Sequence, residues 1–262
     1  MDRALAGFLL AGALAFSARA VRALSQGGAV AALAVGTAAT IAGWSWAIIL
    51  ITFFLTSTGL SRFRRAKREA RIGRIVEKGD ERDAFQVLAN GGVFAAAALM
   101  GAATGQGLWG VAALGALAAA AADTWATEVG TLVGRLPRSI VSFKVLPAGT
   151  SGAVTLPGTL ASLAGAGTIA GVAYLTGAGP IPVATFVGGV AGTVADSLVG
   201  ATIQERRWCD VCFEATERRV HSCGETTRVT GGIPGARNDF VNVVCTVVGG
   251  IVAAAVALMA NG

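Results

Sequence analysis

Carboxyl side chains occur inside strongly apolar stretches of this 262-residue sequence. The clearest case is "AAAADTWATEVGTL" (119–132), which holds Asp123, Thr124 and Glu128. No Lys or Arg lies between positions 83 and 134, so these acids have no nearby basic partner along the chain. Ionisable groups in an apolar segment are costly and by default indicate a functional site. Because clustered carboxylates repel one another, they predict a bound cation, and Mg²⁺ is the usual choice for oxygen ligands and substrate phosphates.

Three further apolar stretches carry polar side chains near one end. In "GDERDAFQVLANGG" (79–92), Arg82, Gln86 and Asn90 are spaced four residues apart, which places them on one face of a helix. Polar groups at the same depth of several helices indicate a shared polar site. The other members are Asp196 and Ser197 in "VADSLVGATIQ" (194–204), and Asn238, Asp239 and Asn242 in "RNDFVNVV" (237–244).

Some of these residues have a structural explanation when taken alone. Asn90 can hydrogen-bond between helices, and Asp239 can be an acid favoured by the dipole in the first turn of its helix. Asp196 can pair with an arginine. Three separate carboxyl-bearing segments beside an amide-rich helix nevertheless favour a functional site. The predicted Mg²⁺ ligands are Asp123, Glu128, Asp196 and Asp239.

A segment rich in glycine and proline, "SFKVLPAGTSGAVTLPG" (142–158), interrupts the apolar pattern and cannot form a continuous helix. Lys144 lies near its start, and the N–H groups of Gly149, Thr150, Ser151 and Gly152 can face an anion. The spacing is not that of a P-loop. Such a segment is often only a connection, but opposite a carboxylate cluster it predicts phosphate binding.

The sequence "WCDVCFEATERRVHSC" contains Cys209, Cys212, His221 and Cys223 in the pattern C-x2-C-x8-H-x-C. Three alternatives remain open: a structural zinc ion held by four soft ligands, free thiols, and a redox role. Cys245 lies within the last apolar run and is typical of a small core residue. His221 is the only histidine and there is no GxSxG motif, which argues against hydrolase chemistry.

These residues must be positioned by helices in a bilayer. The composition is 54% hydrophobic and 14% charged, with 37 glycines, and the apolar residues form runs long enough to cross a membrane. The fold class predicted is therefore all-α: a polytopic transmembrane helical bundle in a single domain, 1–262. Gly43 divides the long apolar run 27–60. About eight spans are predicted: 4–22, 27–42, 44–60, 84–103, 107–133, 157–178, 180–203 and 239–260.

Charge placement predicts the orientation. If the spans alternate, 20 of the 21 Lys and Arg residues lie in loops on one side: 19–26, the basic loop 61–83, 134–156 and the Cys/His loop 204–238. The positive-inside rule makes this side cytoplasmic and puts both termini outside the cytoplasmic (inner) membrane. The net charge of +6 thus reports orientation, and nucleic-acid binding is not indicated. The basic stretch 62–74 is suited to contact anionic membrane lipids.

Five motifs, in this order, resemble an integral-membrane family that includes plant phytyl-phosphate kinase. They are "QVLANGG" (86–92), "DTWATEVG" (123–130), "FKVLPAGTSGAVT" (143–155), "DSLVGATIQ" (196–204) and "NDFVN" (238–242). The resemblance implies transfer of the γ-phosphate of a nucleoside triphosphate, CTP above all, to an isoprenyl monophosphate of the phytyl or geranylgeranyl type. The product is the isoprenyl diphosphate.

In this reaction the predicted acids would hold Mg²⁺ on the nucleotide, while Lys144 and the 149–152 segment would bind phosphate oxygens. Arg82 neutralises the acceptor phosphate or the developing charge. Two rival classes stay open: a CTP-dependent nucleotidyltransferase acting on a lipid phosphate, and an ion-coupled transporter. The remaining predicted substrate-binding residues are Gln86, Asn90, Thr124, Ser197, Asn238 and Asn242.

Overall fold

Eight helices make up most of the part of the chain that the structure, a computed structural model, describes: residues 2–63, 75, 81–133, 136–179 and 182–261. The basic stretch 62–74 lies almost wholly outside these residues. The prediction of a polytopic helical bundle is confirmed. The helices are α1 Arg3–Ala20, α2 Gln26–Ala42, α3 Trp44–Arg62, α4 Ala84–Thr104, α5 Gly107–Val133, α6 Leu156–Leu175, α7 Pro182–Thr202 and α8 Asn238–Asn261.

Seven of the described helices are long and apolar enough to span a membrane, and α2, with 17 residues, is the shorter exception. At 1.5 Å per residue, 17 residues extend about 26 Å, near the lower limit for a hydrocarbon core of about 30 Å. Gly43 ends α2 and begins α3 with φ 150°, which confirms the predicted break. Large apolar side chains such as Phe16, Leu55 and Leu175 are exposed on the outside of the bundle, as lipid-facing residues are.

The core is built from small residues around α5. Leu114, Leu117 and the alanines from Ala118 to Ala122 are at most 1% exposed. Helices α6, α7 and α8 all pack against this helix. The approach is close because glycines face it: a Cβ atom on Gly192 of α7 would lie 2.4 Å from the Cβ of Ala119. Without a hydrophobic driving force between helices in lipid, such close van der Waals packing provides the association energy.

Two small sheets lie in the connections. Strands β1 (Arg138–Ser139) and β2 (Ala153–Val154) pair antiparallel and hold the glycine-rich segment in a closed loop between α5 and α6. Residues 203–237 between α7 and α8, here called the insert, contain the three-stranded antiparallel sheet. Its order is β4–β3–β5, with β3 Arg206–Cys209, β4 Glu214–Thr216 and β5 Arg228–Gly231.

Candidate active site

A polar cavity of about 550 Å³ opens at one end of the bundle. It lies where α4, α6 and α8 begin and where α5 and α7 end. The ends of these five helices therefore lie at the same side of the bundle. The glycine-rich segment and the insert also contribute residues to its wall. The structure thereby brings together fourteen residues predicted from the sequence: Arg82, Gln86, Asn90, Asp123, Thr124, Glu128, Gly149, Thr150, Ser151, Gly152, Asp196, Ser197, Asn238 and Asn242.

Asp123 of α5 and Asp196 of α7 form the acidic centre of the cavity. Both side chains line the cavity and are close enough to interact with each other. The contact of Ala119 with Gly192 lies one helical turn before this pair on both helices, so the close helix packing sets the spacing of the carboxyl groups. Oδ1 of Asp196 is buried and has no hydrogen-bond partner among the described residues.

Glu128 and Glu217 add two further carboxylates to the same cavity. Glu128 accepts a hydrogen bond of 2.7 Å from the hydroxyl of Ser61 on α3. Glu217, from the insert, accepts hydrogen bonds from Ser151 and, at 3.0 Å, from the amide of Gln204. These contacts connect α3 and the glycine-rich loop to the acidic residues.

The α4 face combines structural and site roles. Asp83 caps the helix by accepting from the N–H of Gln86 at 2.9 Å, and the Gln86 side chain accepts from the N–H of Asp83 at 3.2 Å. Asn90 donates to the carbonyl of Gln86 at 3.0 Å. The backbone of Arg82 is fixed on both sides, since its N–H donates to Ala23 and its carbonyl accepts from Ser25. The Arg82 side chain therefore projects into the cavity from a rigid base.

The glycine-rich loop packs on the end of α7. Gly152 has φ 74°, and a Cβ there would lie 2.6 Å from the Cα of Ala201, so only glycine fits without displacement. The N–H of Thr150 donates to the carbonyl of Pro147 and is therefore used within the loop. Thr155 caps α6 by accepting from the N–H of Gly158 at 3.1 Å, and this helix start faces the cavity.

Two predicted site residues are not brought to the cavity. Lys144 does not line it and is exposed, because the chain turns back at residues 139–144, where its carbonyl accepts from the N–H of Ser139. Asp239 lies in the first turn of α8, but it is Asn238 and Asn242 of this helix that line the cavity. The position of Asp239 agrees with the alternative of an acid favoured by the helix dipole.

The cavity also contains charged residues that the sequence interpretation missed. Glu217 and Arg218 reach it from the insert, so Arg218 joins Arg82 as an arginine in the described part of its wall. Nothing in the local sequence "EATERR" distinguishes them, since charged residues are common in any solvated loop. Only the folding of the insert over the helix ends places them there.

The four Cys and His side chains predicted as a group are close together in the insert, away from the cavity lining. The three cysteines of this group, and Cys245 of α8, form no disulfide bond. The backbone N–H of Glu225, followed by the His221 ring, lowers the pKa of Cys223 to about 7. Hydrogen bonding with Cys223 is the largest of the effects that raise the pKa of Cys212 to about 11.

The fold and the cavity define a polytopic integral membrane protein with an acidic site at one end of its helices. The chain belongs to the family described as Integral membrane protein DUF92, whose profile matches residues 9–250. This membership confirms the family resemblance that the five motifs indicate.

Three relatives show the range of similarity. Protein PGR of Arabidopsis thaliana is 30% identical over 267 residues, which is 90% of each chain. An uncharacterized membrane protein of Methanocaldococcus jannaschii is 34% identical over 216 residues, 80% of this chain and 75% of its own length. Protein VTE6, chloroplastic, of Arabidopsis thaliana is 25% identical over 242 residues, 89% of this chain and 65% of its own length. No solved structure gives a significant match.

Proposed function

We propose that the polar cavity transfers the γ-phosphoryl group of a nucleoside triphosphate, CTP in the first instance, to an isoprenyl monophosphate. The observation that carries this proposal is the composition of one cavity: among the described residues, four carboxylates, two arginines and several amides meet at the end of a membrane-embedded bundle. Phosphoryl transfer needs mainly positioning and neutralisation of charge, and this set of groups can supply both. The distant similarity to Protein VTE6 and the resemblance to the phytyl-phosphate kinase family support the same reaction.

The acidic centre fits Mg²⁺. Neighbouring carboxylates in one cavity repel each other unless a cation lies between them, and the buried Oδ1 of Asp196 has no donor among the described residues. Asp123 and Asp196 would hold the metal, and Glu128 and Glu217 add negative charge to the same cavity. When bound, Mg²⁺ offsets the negative charge of the nucleotide phosphates.

The cationic side of the cavity suits the phosphate groups. Arg82 and Arg218 line it, and the first turn of α6 presents the positive end of its dipole. The amide side chains of Asn90, Asn238 and Asn242 line the same cavity and can add hydrogen bonds to phosphate oxygens. In this proposal Arg218 supplies the positive charge that the sequence interpretation assigned to Lys144.

A place for the isoprenoid chain adjoins this wall. A second cavity of about 100 Å³, almost entirely apolar, lies among α1, α2, α3 and α4 and is lined by residues such as Leu14, Leu50 and Phe54. Three polar residues line both cavities: Arg82, Gln86 and Asn90. A lipid monophosphate bound there would have its tail among apolar side chains and its charged head beside Arg82.

The reaction needs no strong base. An oxygen of the acceptor phosphate forms the new bond to the γ-phosphorus, the bond from that phosphorus to the β-phosphate oxygen breaks, and the nucleoside diphosphate leaves with the electron pair. Because a phosphate monoester is already anionic near neutral pH, no side chain has to remove a proton. This agrees with a described cavity lining that contains no histidine.

Packing below the cavity favours an enzyme over a transporter. In the described part of α5, the segment preceding Asp123 is buried without interruption from Ala113 to Ala122. A substrate path through the bundle would have to separate these contacts. By the positive-inside rule we assign the cavity to the cytoplasmic side, where nucleotides are available.

The test uses purified protein in detergent, phytyl or geranylgeranyl monophosphate, Mg²⁺ and each of the four nucleoside triphosphates. Mass spectrometry should detect the isoprenyl diphosphate, and EDTA should abolish it. Asp123→Asn and Asp196→Asn should each lower turnover by roughly 10²–10³-fold, the usual loss when a group stabilising transition-state charge is removed. Asp2→Asn is the matched control, because Asp2 caps α1 at the other end of the bundle and asparagine preserves a cap.

Unchanged turnover in both cavity variants would refute the site. Release of pyrophosphate with a nucleotidyl-lipid product would assign the cavity to nucleotidyl transfer. If no product forms, and if nucleotide binding is either absent or unchanged in Asp123→Asn, both transferase reactions are refuted and the transporter is favoured.

A further inference from the structure

The insert holds a cluster of four soft ligand atoms that the proposed phosphoryl transfer does not use. One atom from each of Cys209, Cys212, His221 and Cys223 lies within 4.8 Å of all the others. The side chains come from two separate turns of the insert, so their meeting is a consequence of the fold. Exposed acidic groups often cluster by chance, but three thiols and an imidazole rarely do, because both are scarce in this chain: it has four cysteines and one histidine.

The separations in the cluster match a tetrahedral metal site. Zn–S bonds of about 2.3 Å and a Zn–N bond of about 2.0–2.1 Å give tetrahedron edges of about 3.8 Å between sulfurs and about 3.5 Å between sulfur and nitrogen. The sulfurs of Cys209 and Cys223 are 3.7 Å apart. Nδ1 of His221 lies 3.3 Å from the sulfur of Cys223. Disulfide-bonded sulfurs would instead be about 2.05 Å apart.

The tight turn that contains Cys209 and Cys212 holds these two cysteines in fixed positions. The N–H of Cys212 points at the sulfur of Cys209 at 3.5 Å, so the backbone of this turn already orients the first sulfur. Phe213, the next residue, has φ 54°, a conformation that a bulky side chain adopts only when the surroundings impose it. The turn lies between the paired residues Cys209 of β3 and Glu214 of β4, which fixes the position of both thiols.

The second pair of ligands lies in another tight turn. The N–H of His221 donates to the carbonyl of Glu225 at 2.8 Å, and the N–H of Gly224 donates to the carbonyl of His221 at 2.9 Å. The other ring nitrogen of His221, Nε2, lies 3.6 Å from a carboxylate oxygen of Glu214. Metal-binding histidines commonly direct their second nitrogen to a carboxylate, which orients the ring and fixes the tautomer.

We infer that Cys209, Cys212, Nδ1 of His221 and Cys223 bind one Zn²⁺ ion that holds the insert in its folded form. Four protein ligands leave no open position, so the ion is structural. Its effect reaches the polar cavity, because Glu217 and Arg218 lie on the short connection between β4 and His221. The zinc therefore sets the position of one carboxylate and one arginine of the cavity wall. The site itself stands independently of the transferase proposal.

The test measures metal in the full-length protein purified in detergent without chelators. Inductively coupled plasma mass spectrometry should find about one zinc per chain, and Cys209→Ser and Cys223→Ser should each reduce it below about one tenth. Cys245→Ser is the matched control and should keep the full amount, since Cys245 is buried in α8 and is not in the cluster.

A second measurement uses the unaltered protein, so it does not depend on the folding of a variant. Cys223 is exposed and should react readily with iodoacetamide unless a metal binds its sulfur. We expect alkylation at Cys223, read by peptide mass spectrometry, to become at least about tenfold faster after zinc is stripped with a strong chelator. Trypsin should then also cleave faster after Arg218 and Arg219, and added Zn²⁺ should reverse both changes.

Three results would each overturn the inference. The first is a protein that contains no zinc and does not take up one equivalent of added Zn²⁺. The second is a peptide mass showing a disulfide among the three cysteines. The third is a zinc content or alkylation rate that is the same in Cys209→Ser as in Cys245→Ser.

Discussion

Replacing Gly192 by alanine should separate the two aspartates of the cavity although it adds only one methyl group. The new Cβ would lie 2.4 Å from the Cβ of Ala119 and 2.6 Å from the carbonyl oxygen of Cys245. Carbon atoms pack at about 3.5–4.0 Å, so α7 must move from α5 by roughly 1 Å. Overpacking of this kind costs about 1–3 kcal/mol. Asp123 and Asp196 lie one turn further along the same two helices, and a shift of about 1 Å at reacting groups can lower turnover by 10²-fold.

Gly171→Ala is the matched control. Gly171 also lies within a helix, but a Cβ there would meet nothing within 4 Å. Both variants gain the same helix propensity of about 1 kcal/mol over glycine, so the difference between them isolates the packing cost. Thermal unfolding followed by tryptophan fluorescence should place the midpoint of Gly192→Ala roughly 2–12 °C below that of Gly171→Ala. Equal midpoints and equal turnover in the two variants would refute the packing argument.

Three further results are expected. Arg82→Gln should raise KM for the isoprenyl monophosphate about tenfold or more and leave KM for the nucleotide nearly unchanged, because Arg82 also lines the apolar cavity proposed for the acceptor. Ala32→Phe should narrow the apolar cavity, so that KM rises more for geranylgeranyl than for geranyl monophosphate in the same assay. The N–H of Gly235, followed by Arg207, lowers the pKa of Glu205, so the insert should be stabilised above about pH 4.3 and lose this stabilisation as the pH falls further. Trypsin should cleave the insert of Glu205→Gln faster than that of the unaltered protein at pH 7, because the variant lacks this carboxylate at every pH.

The helices could be predicted from the sequence because the bilayer fixes their length. Every predicted span agrees with an observed helix to within three residues at each end. Glycine and proline mark the breaks: Gly43 separates α2 from α3, and Pro157 lies in the first turn of α6. What the sequence could not predict is which helix lies at the centre, since the apolar composition of α5 resembles that of its neighbours.

The site was partly predictable for an energetic reason. A carboxylate within an apolar helix is costly, so Asp123 and Asp196 stand out in the sequence. A charge in a solvated loop costs little and carries no such signal. Glu217 and Arg218 were therefore missed, and Lys144 was assigned to a phosphate although its turn directs it to solvent. The side-chain positions of loop residues depend on tertiary contacts, such as the bond from Ser151 to Glu217, that no local pattern contains.

The arrangement of the two cavities explains why the proposed chemistry belongs at the end of a bundle. A nucleotide is soluble and an isoprenyl phosphate is not, so a common site must be open to water and also adjoin an apolar compartment. Arg82 lies where both conditions are met, because it lines the polar and the apolar cavity and its backbone is held between α1 and α2. The carboxylates that would hold the metal come instead from α5 and α7, which pack through small residues and keep a fixed spacing. Rigid helices thus position the acids, while residues of the glycine-rich loop and the insert contribute to the cavity wall. This division predicts that variants in the α5–α7 contact will lower kcat, whereas variants around Arg82 will raise KM for the lipid.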